Sequence, residues 1–403
     1  MVWQVEGVSN NSSTKIYEAE RMNSMNKKIL IISPAQTHPP YAGNRSTILS
    51  FSQYLTNMGF IVYFLYIGQA LSKDSIELMT NYWGKRLIII TPRLYIWKIW
   101  LYKYFRFLQM GKVSYKIDDW FPWGVKHRIK AIQMTHKFDI IWVNYIWMSK
   151  ALTFFKGARK VLDTHDVFSF RFEKTGNNWY STSPNQEAKA LNRSDFIIAI
   201  QEKEGIFFEQ LTLKNVVTTF RPFPYSQTPL CPMNNLLFIA GPNQHNIEGV
   251  MFLIKDVFPR LIQENPEIRL LIAGGICDVI NRAILPDGMS LIGKFDILEE
   301  FYSMGNIVLN PVKQGTGLKI KTIEALSYGK ILVTHPHNII GVPYPDEIPV
   351  FKAETVEEYQ KQIRALLQSE NSIINTKELV YNYMKKYNDL VNIRMSRVLN
   401  LNN

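Results

Sequence analysis

Lys27-Lys28-Ile29-Leu30-Ile31-Ile32-Ser33-Pro34 is the stretch from which the fold is read. Two cations precede an unbroken apolar run, and turn residues close it. A run without alternation is the pattern of a strand buried on both faces, as in a parallel sheet. The loop Pro39-Pro40-Tyr41-Ala42-Gly43-Asn44-Arg45-Ser46 follows, then a helical pattern over 47–57 that Gly59 ends, then a second strand over 60–67. Strand, glycine-containing loop, helix, glycine and strand make a βαβ unit. Further strands are expected at 86–90, 138–143, 160–164 and 195–200.

Around 220–232 the chain turns rich in proline (Arg221-Pro222-Phe223-Pro224-Tyr225), which reads as a linker. A second βαβ series begins beyond it. Strands are expected at 236–240, 269–273 (closed by Gly274-Gly275), 290–292, 307–309 and 331–334. Helices are expected at 250–264, 298–304 and 318–327, and two or more over 356–399. The fold class is therefore α/β, with two Rossmann-like doubly wound domains facing a central cleft at the carboxyl ends of both sheets. The division expected is an arm or linker at 1–25, a first domain at 26–224, a second at 225–380, and a terminal helix at 381–403 packing back toward the first.

Composition sets the outer bounds. The chain has 403 residues, 46% hydrophobic and 20% charged, so it belongs with folded proteins and is long enough for two cores. Two cysteines, Cys231 and Cys277, are too few for a disulfide scaffold or a four-cysteine zinc site. No apolar run reaches the roughly 20 residues that span a bilayer, and no apolar leader opens the chain. The default expectation is a cytoplasmic protein. Net charge is +12, and residues 1–225 hold all the excess: 29 − 16 = +13 there against 17 − 18 = −1 over 226–403. Such asymmetry points to a polyanionic partner for the first half.

The segment with most chemistry is Gly315-Thr316-Gly317-Leu318-Lys319-Ile320-Lys321-Thr322-Ile323-Glu324-Ala325-Leu326-Ser327-Tyr328-Gly329. A strand leads into a Gly-Thr-Gly loop and a helix starts at once. Glycines admit a ligand close to the backbone, and free amides at a helix start favour phosphate. Lys319 and Lys321 add cations where the helix dipole disfavours them unless an anion is present. A glycine-containing connection with solvated lysines would give the same spacing.

These residues resemble the donor-site segment of GT-B glycosyltransferases, especially the family 4 (group 1) type. Matching motifs run in order through most of the chain: Pro34…Gly43-Asn44-Arg45, then 187–200, then Phe238-Ile239-Ala240-Gly241…Asn246…Gly249, Asn265-Pro266…Gly274 and Ile292-Gly293…Leu298. The resemblance implies transfer of a sugar from a nucleotide sugar, a retaining outcome in preference to an inverting one, and no metal or other cofactor. It places Gly241, Asn246, Gly315, Thr316, Gly317, Leu318, Lys319 and Glu324 at the donor, with Glu324 accepting hydrogen bonds from ribose hydroxyls. Thr316 stands where the family has the first glutamate of its Glu-x7-Glu pair. Gly241-Pro242-Asn243-Gln244-His245-Asn246 stands where it has an arginine and a lysine, and Lys319 is the candidate to take over their phosphate contact.

A second candidate site is Asp163-Thr164-His165-Asp166, polar residues closing a buried strand. His165 or Asp166 could bind the transferred sugar, or Asp166 could act as general base in an inverting reaction; capping of a turn is the plain structural alternative. Gly43, Asn44 and Arg45 are candidates for acceptor or phosphate. There is no Asp-x-Asp, Walker loop or His-Glu-x-x-His motif. Residues 93–130 carry nine Lys or Arg against Asp118 and Asp119, and over 96–108 Trp and Phe share one helical face opposite cations. That pattern suits an anionic membrane surface; nucleic acid is not expected, because no binding module accompanies the charge. The expectation is a glycosyltransferase at the inner face of the cell membrane, with a glycan or lipid-linked acceptor in surface-polysaccharide synthesis. The alternatives are a nucleotide-sugar epimerase on the same frame and a non-catalytic sugar- or membrane-binding module.

Overall fold

The computed structural model describes residues 26–92, 104, 116–171, 181–226, 228–229, 231–315 and 319–399. The chain forms two compact units. The first takes in the residues up to Pro40, Asn44–Pro222 and those from Asp389 on; the second takes in Tyr41–Gly43 and Phe223–Asn388.

The first unit is built on a seven-stranded parallel sheet of order β3-β2-β1-β4-β5-β6-β7. Its strands are β1 (Lys28–Ser33), β2 (Ile61–Ile67), β3 (Leu87–Ile90), β4 (Ile140–Asn144), β5 (Arg159–Asp163), β6 (Phe196–Ala199) and β7 (Asn215–Thr218). The unbroken run of β1 explains its central place: Ile29, Leu30, Ile31 and Ile32 are all buried. In register, Leu30 lies opposite Tyr63 on β2 and Ile141 on β4. Truncating one of these to alanine would cost roughly 2–5 kcal/mol. Strand order reverses between β1 and β4, so β4 and β5 present their carboxyl ends at the switch point, where such sheets bind ligands.

The second unit repeats the plan with six parallel strands in the order β10-β9-β8-β11-β12-β13. These are β8 (Asn235–Ile239), β9 (Arg269–Ala273), β10 (Met289–Gly293), β11 (Ile307–Asn310), β12 (Ile331–Thr334) and β13 (Val350–Lys352). Its core joins β8, β9, β11 and β12 to Val250, Phe258, Tyr359 and Ile363 from the covering helices. At Gly274 (φ +92) a Cβ would meet the Ala240 carbonyl oxygen at 2.4 Å, so only glycine lets β8 and β9 run out this close together.

Several expectations are corrected in detail. Gly43, Asn44 and Arg45 are not loop but the first turn of a helix, Gly43–Asn57; first-turn amides need no internal partner, so polar residues that read as loop suit a helix start. The helix expected from 250 begins at Gln244, where the Asn243 side chain accepts from the Asn246 amide at 3.0 Å. It widens into a π turn at Leu253–Val257. Pro259 lies just beyond and cannot keep the regular bond pattern. The helix expected from Leu318 is described from Ile320 to Ser327. Of the four edge strands, β7 and β13 escape the sequence reading; both are short and half-exposed. The terminal helix runs Glu370–Leu399 and contributes to both units.

Candidate active site

In the second unit the site is built where β11 and β12 end. Gly315 has φ +138, a conformation for glycine. The chain enters the Ile320–Ser327 helix through Lys319, whose Nζ donates to the Gly315 carbonyl at 3.2 Å and lies 2.9 Å from His337 Nε2. His337 Nε2 is also 2.9 Å from that carbonyl. Burial lowers the pKa of Lys319. Lys321 Nζ donates to Asn246 Oδ1 at 2.6 Å, and the other end of that amide donates to the Gly241 carbonyl at 2.9 Å. Burial, reinforced by Lys319 and opposed by Glu324, pushes Lys321 down to about 8. One turn on, Glu324 Oε1 accepts from the Tyr302 hydroxyl at 3.1 Å, and the Tyr302 ring stacks on Tyr328. The buried Asn338 side chain donates to the carbonyls of Asn310 and Val312, and its main-chain carbonyl accepts from Thr322 Oγ1, which ties the loop to the helix and to β11.

The arrangement concentrates positive charge around one carboxylate. Among the described residues, no Asp or Glu lies within ion-pair distance of Lys319 or Lys321. Two desolvated ammonium groups with one carboxylate nearby and no direct ion pair favour an external anion, as a diphosphate would be. Of the donor residues inferred from sequence, Gly241, Asn246, Gly315, Lys319 and Glu324 lie in this unit as described. Thr316, Gly317 and Leu318 lie outside the described residues. Asn246 is buried and engaged at both ends, so it holds Lys321 in place. Sequence reading did not place Tyr302, His337 or Asn338 at the site, because they come from separate segments. Gly43 belongs to this unit too: a Cβ there would sit 3.4 Å from Ile320 Cδ1.

In the first unit the ends of β4 and β5 carry a different chemistry. His165 and Tyr145 both have positive φ, 63° and 72°, a strained state for residues with side chains. Their rings stack 4.2 Å apart, with Trp147 also stacked on Tyr145 at 4.5 Å. Asn44 Nδ2 donates to the Tyr145 hydroxyl at 2.9 Å. Burial pushes that phenol up to about 12, against the opposing effect of the Asn44 bond. His165 Nε2 lies 2.8 Å from Asn144 Oδ1 and 3.7 Å from Asp163 Oδ2. Burial raises Asp163 and lowers His165, so both are pushed toward their neutral forms. Asp166 pairs with Arg171 at 3.2 Å and caps the amide of Val167.

Two further carboxylates support this cluster. Glu187, fully buried, accepts from the amides of Phe168 (3.0 Å) and Ser169 (2.9 Å) and from the Ser169 hydroxyl. Glu204 is raised to about 8, first by burial and then by Asp166. Arg45 has a long contact to the Pro39 carbonyl at 3.5 Å. Asp118 is gripped by Arg193 at 2.7 and 2.9 Å, a structural role. Of the basic stretch, residues 93–103 and 105–115 lie outside the described residues. The part described exposes Trp123 (61%) and the helix Val125–Thr135, which buries Val125 and Ile129 and turns Lys126, Arg128 and Lys130 outward. Among the described residues no helix is long and apolar enough to cross a membrane, and no group of three or more His, Cys, Asp or Glu is set to hold a metal ion.

Two parallel-sheet Rossmann-like units in one chain are the GT-B fold. Residues 234–369 match the family model described as Glycosyl transferases group 1. A curated relative is 24% identical over 336 residues, covering 74% of this chain and 80% of its own: an uncharacterized 44.6 kDa protein in the cps region of Klebsiella pneumoniae. Two solved structures share the fold. A point mutant of S. aureus TarM, in complex with fondaparinux, alpha-GlcNAc-glycerol and UDP, has TM-score 0.63 at 12% identity, covering 93% of this chain and 100% of that one. The pneumococcal O-GlcNAc transferase GtfA, in complex with UDP and GlcNAc, has TM-score 0.63 at 12% identity, covering 93% and 99%.

Proposed function

We propose that the protein transfers a sugar from a nucleoside-diphosphate sugar to a glycan or lipid-linked acceptor in surface-polysaccharide synthesis. The observation that carries this reading is the pair Lys319 and Lys321 at the start of the Ile320–Ser327 helix, with Glu324 one turn further, inside the segment that matches the transferase family. The cations and helix amides offset the charge of the leaving diphosphate, which needs no metal where preorganised donors supply the field. Glu324 accepts from the ribose. The UDP held by TarM and GtfA, and the cps location of the relative, support uridine and an envelope glycan. His165, on the first unit, contacts the sugar, and Asn44 and Arg45 belong to the acceptor side. A retaining outcome is favoured because Asp166 is committed to Arg171 and Asp163 is buried and pushed toward its neutral form, so neither is ready as a base.

The test is UDP release from a panel of UDP-sugars, with and without a lipid extract of envelope glycan carriers. Release that depends on the extract, with the product anomer matching the donor, is expected. Glu324→Ala and Lys319→Ala should lower it by roughly 10²–10³-fold. Undiminished release in both variants would overturn the reading, and a donor epimerised without acceptor would replace it. The exposed Trp123, Lys126, Arg128 and Lys130 support attachment to the inner face of the cell membrane. Each cation near an anionic surface contributes about 1 kcal/mol. Changing the three to Glu should therefore abolish sedimentation with vesicles rich in anionic lipid; retention at the wild-type level would refute the attachment.

A further inference from the structure

The His165 imidazole has one polar partner fixed by chemistry alone. Asn144, buried at the end of β4, has its Nδ2 3.4 Å from the main-chain carbonyl of Ile32, an atom that can only accept. The amide nitrogen must face that carbonyl, so Oδ1 faces His165 Nε2 at 2.8 Å. Oδ1 is itself only an acceptor, and Nε2 must donate. Asp163 Oδ2 is farther from the same nitrogen, at 3.7 Å, beyond hydrogen-bond reach. Nδ1 is then the unprotonated nitrogen, and it has no hydrogen-bond partner among the described residues. Tyr145, stacked on the ring at 4.2 Å and tied to Asn44, holds the plane of the imidazole.

We propose that Asn144 is a positioning residue that holds His165 as the neutral Nε2–H tautomer and leaves Nδ1 as a hydrogen-bond acceptor for a substrate hydroxyl. This rests on the transferase reading only for the identity of the hydroxyl; the tautomer follows from Ile32 and Asn144. The ionisable groups around the ring are Asp163, Asp166 with its partner Arg171, and Tyr145, with Glu187 and Glu204 acting on Asp166. Burial outweighs the acids and keeps the ring neutral. A neutral acceptor nitrogen selects a hydroxyl and refuses a bare ether or carbonyl at that place, because the latter would set two acceptors against each other.

The test needs no substrate. Protein labelled with nitrogen-15 at histidine, one of seven assigned by its loss in His165→Gln, should show His165 with Nε2 protonated and Nδ1 bare at neutral pH. Asn144→Asp keeps an acceptor at the same place and should keep the tautomer, while its added charge moves the ionisation of His165 to higher pH. Asn144→Leu should give a tautomer mixture and lower kcat at least about tenfold, with KM for the donor less affected. A proton on Nδ1 in the wild type, an imidazolium at neutral pH, or a spectrum unmoved in Asn144→Leu would overturn the proposal. Absence of transferase activity with the spectrum as expected would instead sink the proposed function and leave the tautomer standing.

Discussion

The two units carry charge in opposite senses on two scales. Residues 1–225 hold +13 and residues 226–403 hold −1, yet the strand ends reverse that order. In the first unit Asp163, Asp166, Glu187 and Glu204 lie close enough to act on one another, and Asp166 pairs with the cation Arg171. In the second, Lys319 and Lys321 stand at one helix start with Glu324 one turn on. Net charge governs encounter with large surfaces, whereas charge at a buried strand end is matched to what binds there. A basic exterior on the first unit suits a membrane, and a basic interior on the second suits a diphosphate. Each can be broken without the other.

The largest effect is expected at Lys321. Its folded pKa of about 8 lies below the ordinary 10.5. The unfolded chain therefore holds more protons between pH 8 and 10.5, and stability rises with pH across that window. Below it the buried ammonium costs about 3 kcal/mol. Lys321→Met should raise the melting temperature at pH 7 and weaken UDP binding by roughly 10²–10³-fold, a trade of stability for function. In the wild type, a bound diphosphate needs the proton on Lys321, so affinity measured by calorimetry should be full below pH 8 and fall above it. Affinity flat from pH 7 to 9.5 would remove Lys321 from the site.

Glu187 provides the matching break in the first unit. Its two oxygens hold the amides of Phe168 and Ser169, directly after the His165–Asp166 segment. In Glu187→Gln one acceptor becomes an NH₂ that confronts backbone donors. The loss should be about 3 kcal/mol, or roughly 6–12 °C in melting temperature of that unit. Turnover should fall while UDP affinity, a property of the second unit, stays at the wild-type value. A parallel fall in UDP affinity would show that the two sites do not act separately.

The same contrast explains what the sequence made legible. The lysine-rich helix start is contiguous, so Lys319, Lys321 and Glu324 stand in one readable string. The unbroken apolar runs and the glycines that close them likewise reveal eleven of the thirteen strands found among the described residues, because a buried parallel strand has a continuous apolar signature. The His165 surroundings have no such string. Ile32, Asn44, Asn144, Tyr145, His165 and Glu187 come from β1, a helix start, the ends of β4 and β5, and a later helix, and only the sheet order brings them together. The strand expected at 138–143 stops one residue short of Asn144, and nothing local marks Glu187 as buried; tertiary packing makes one a tautomer lock and the other a buried acid. His337 and Asn338 are hard to see for the same reason, since their partners at Lys319, Gly315 and Asn310 lie 18, 22 and 28 residues away in sequence.

The smallest effect expected is at Glu204, and it sharpens the contrast by its sign. One carboxylate oxygen, Oε2, is buried with no hydrogen-bond partner among the described residues, and the acid is raised to about 8 from the ordinary 4.5. The folded state therefore holds more protons than the unfolded chain between pH 4.5 and 8, and stability falls as pH rises through that window. This slope is opposite to that of Lys321 and lies on the acid side of it. Glu204→Gln keeps the shape of the neutral acid and removes the charge. It should match the wild type at pH 4.5 and exceed it at pH 9 by ~1–2 kcal/mol, a figure reduced from the full shift because partial exposure lets water screen the charge. Removing the neighbouring anion as well, in Asp166→Asn, should shrink that advantage, because Asp166 is the second cause of the shift. Melting curves of the four proteins from pH 4.5 to 9 read this coupling directly. A Glu204→Gln protein no more stable than the wild type at pH 9 would mean that Glu204 ionises freely, and that the first unit's strand ends do not share a proton-retaining acidic cluster.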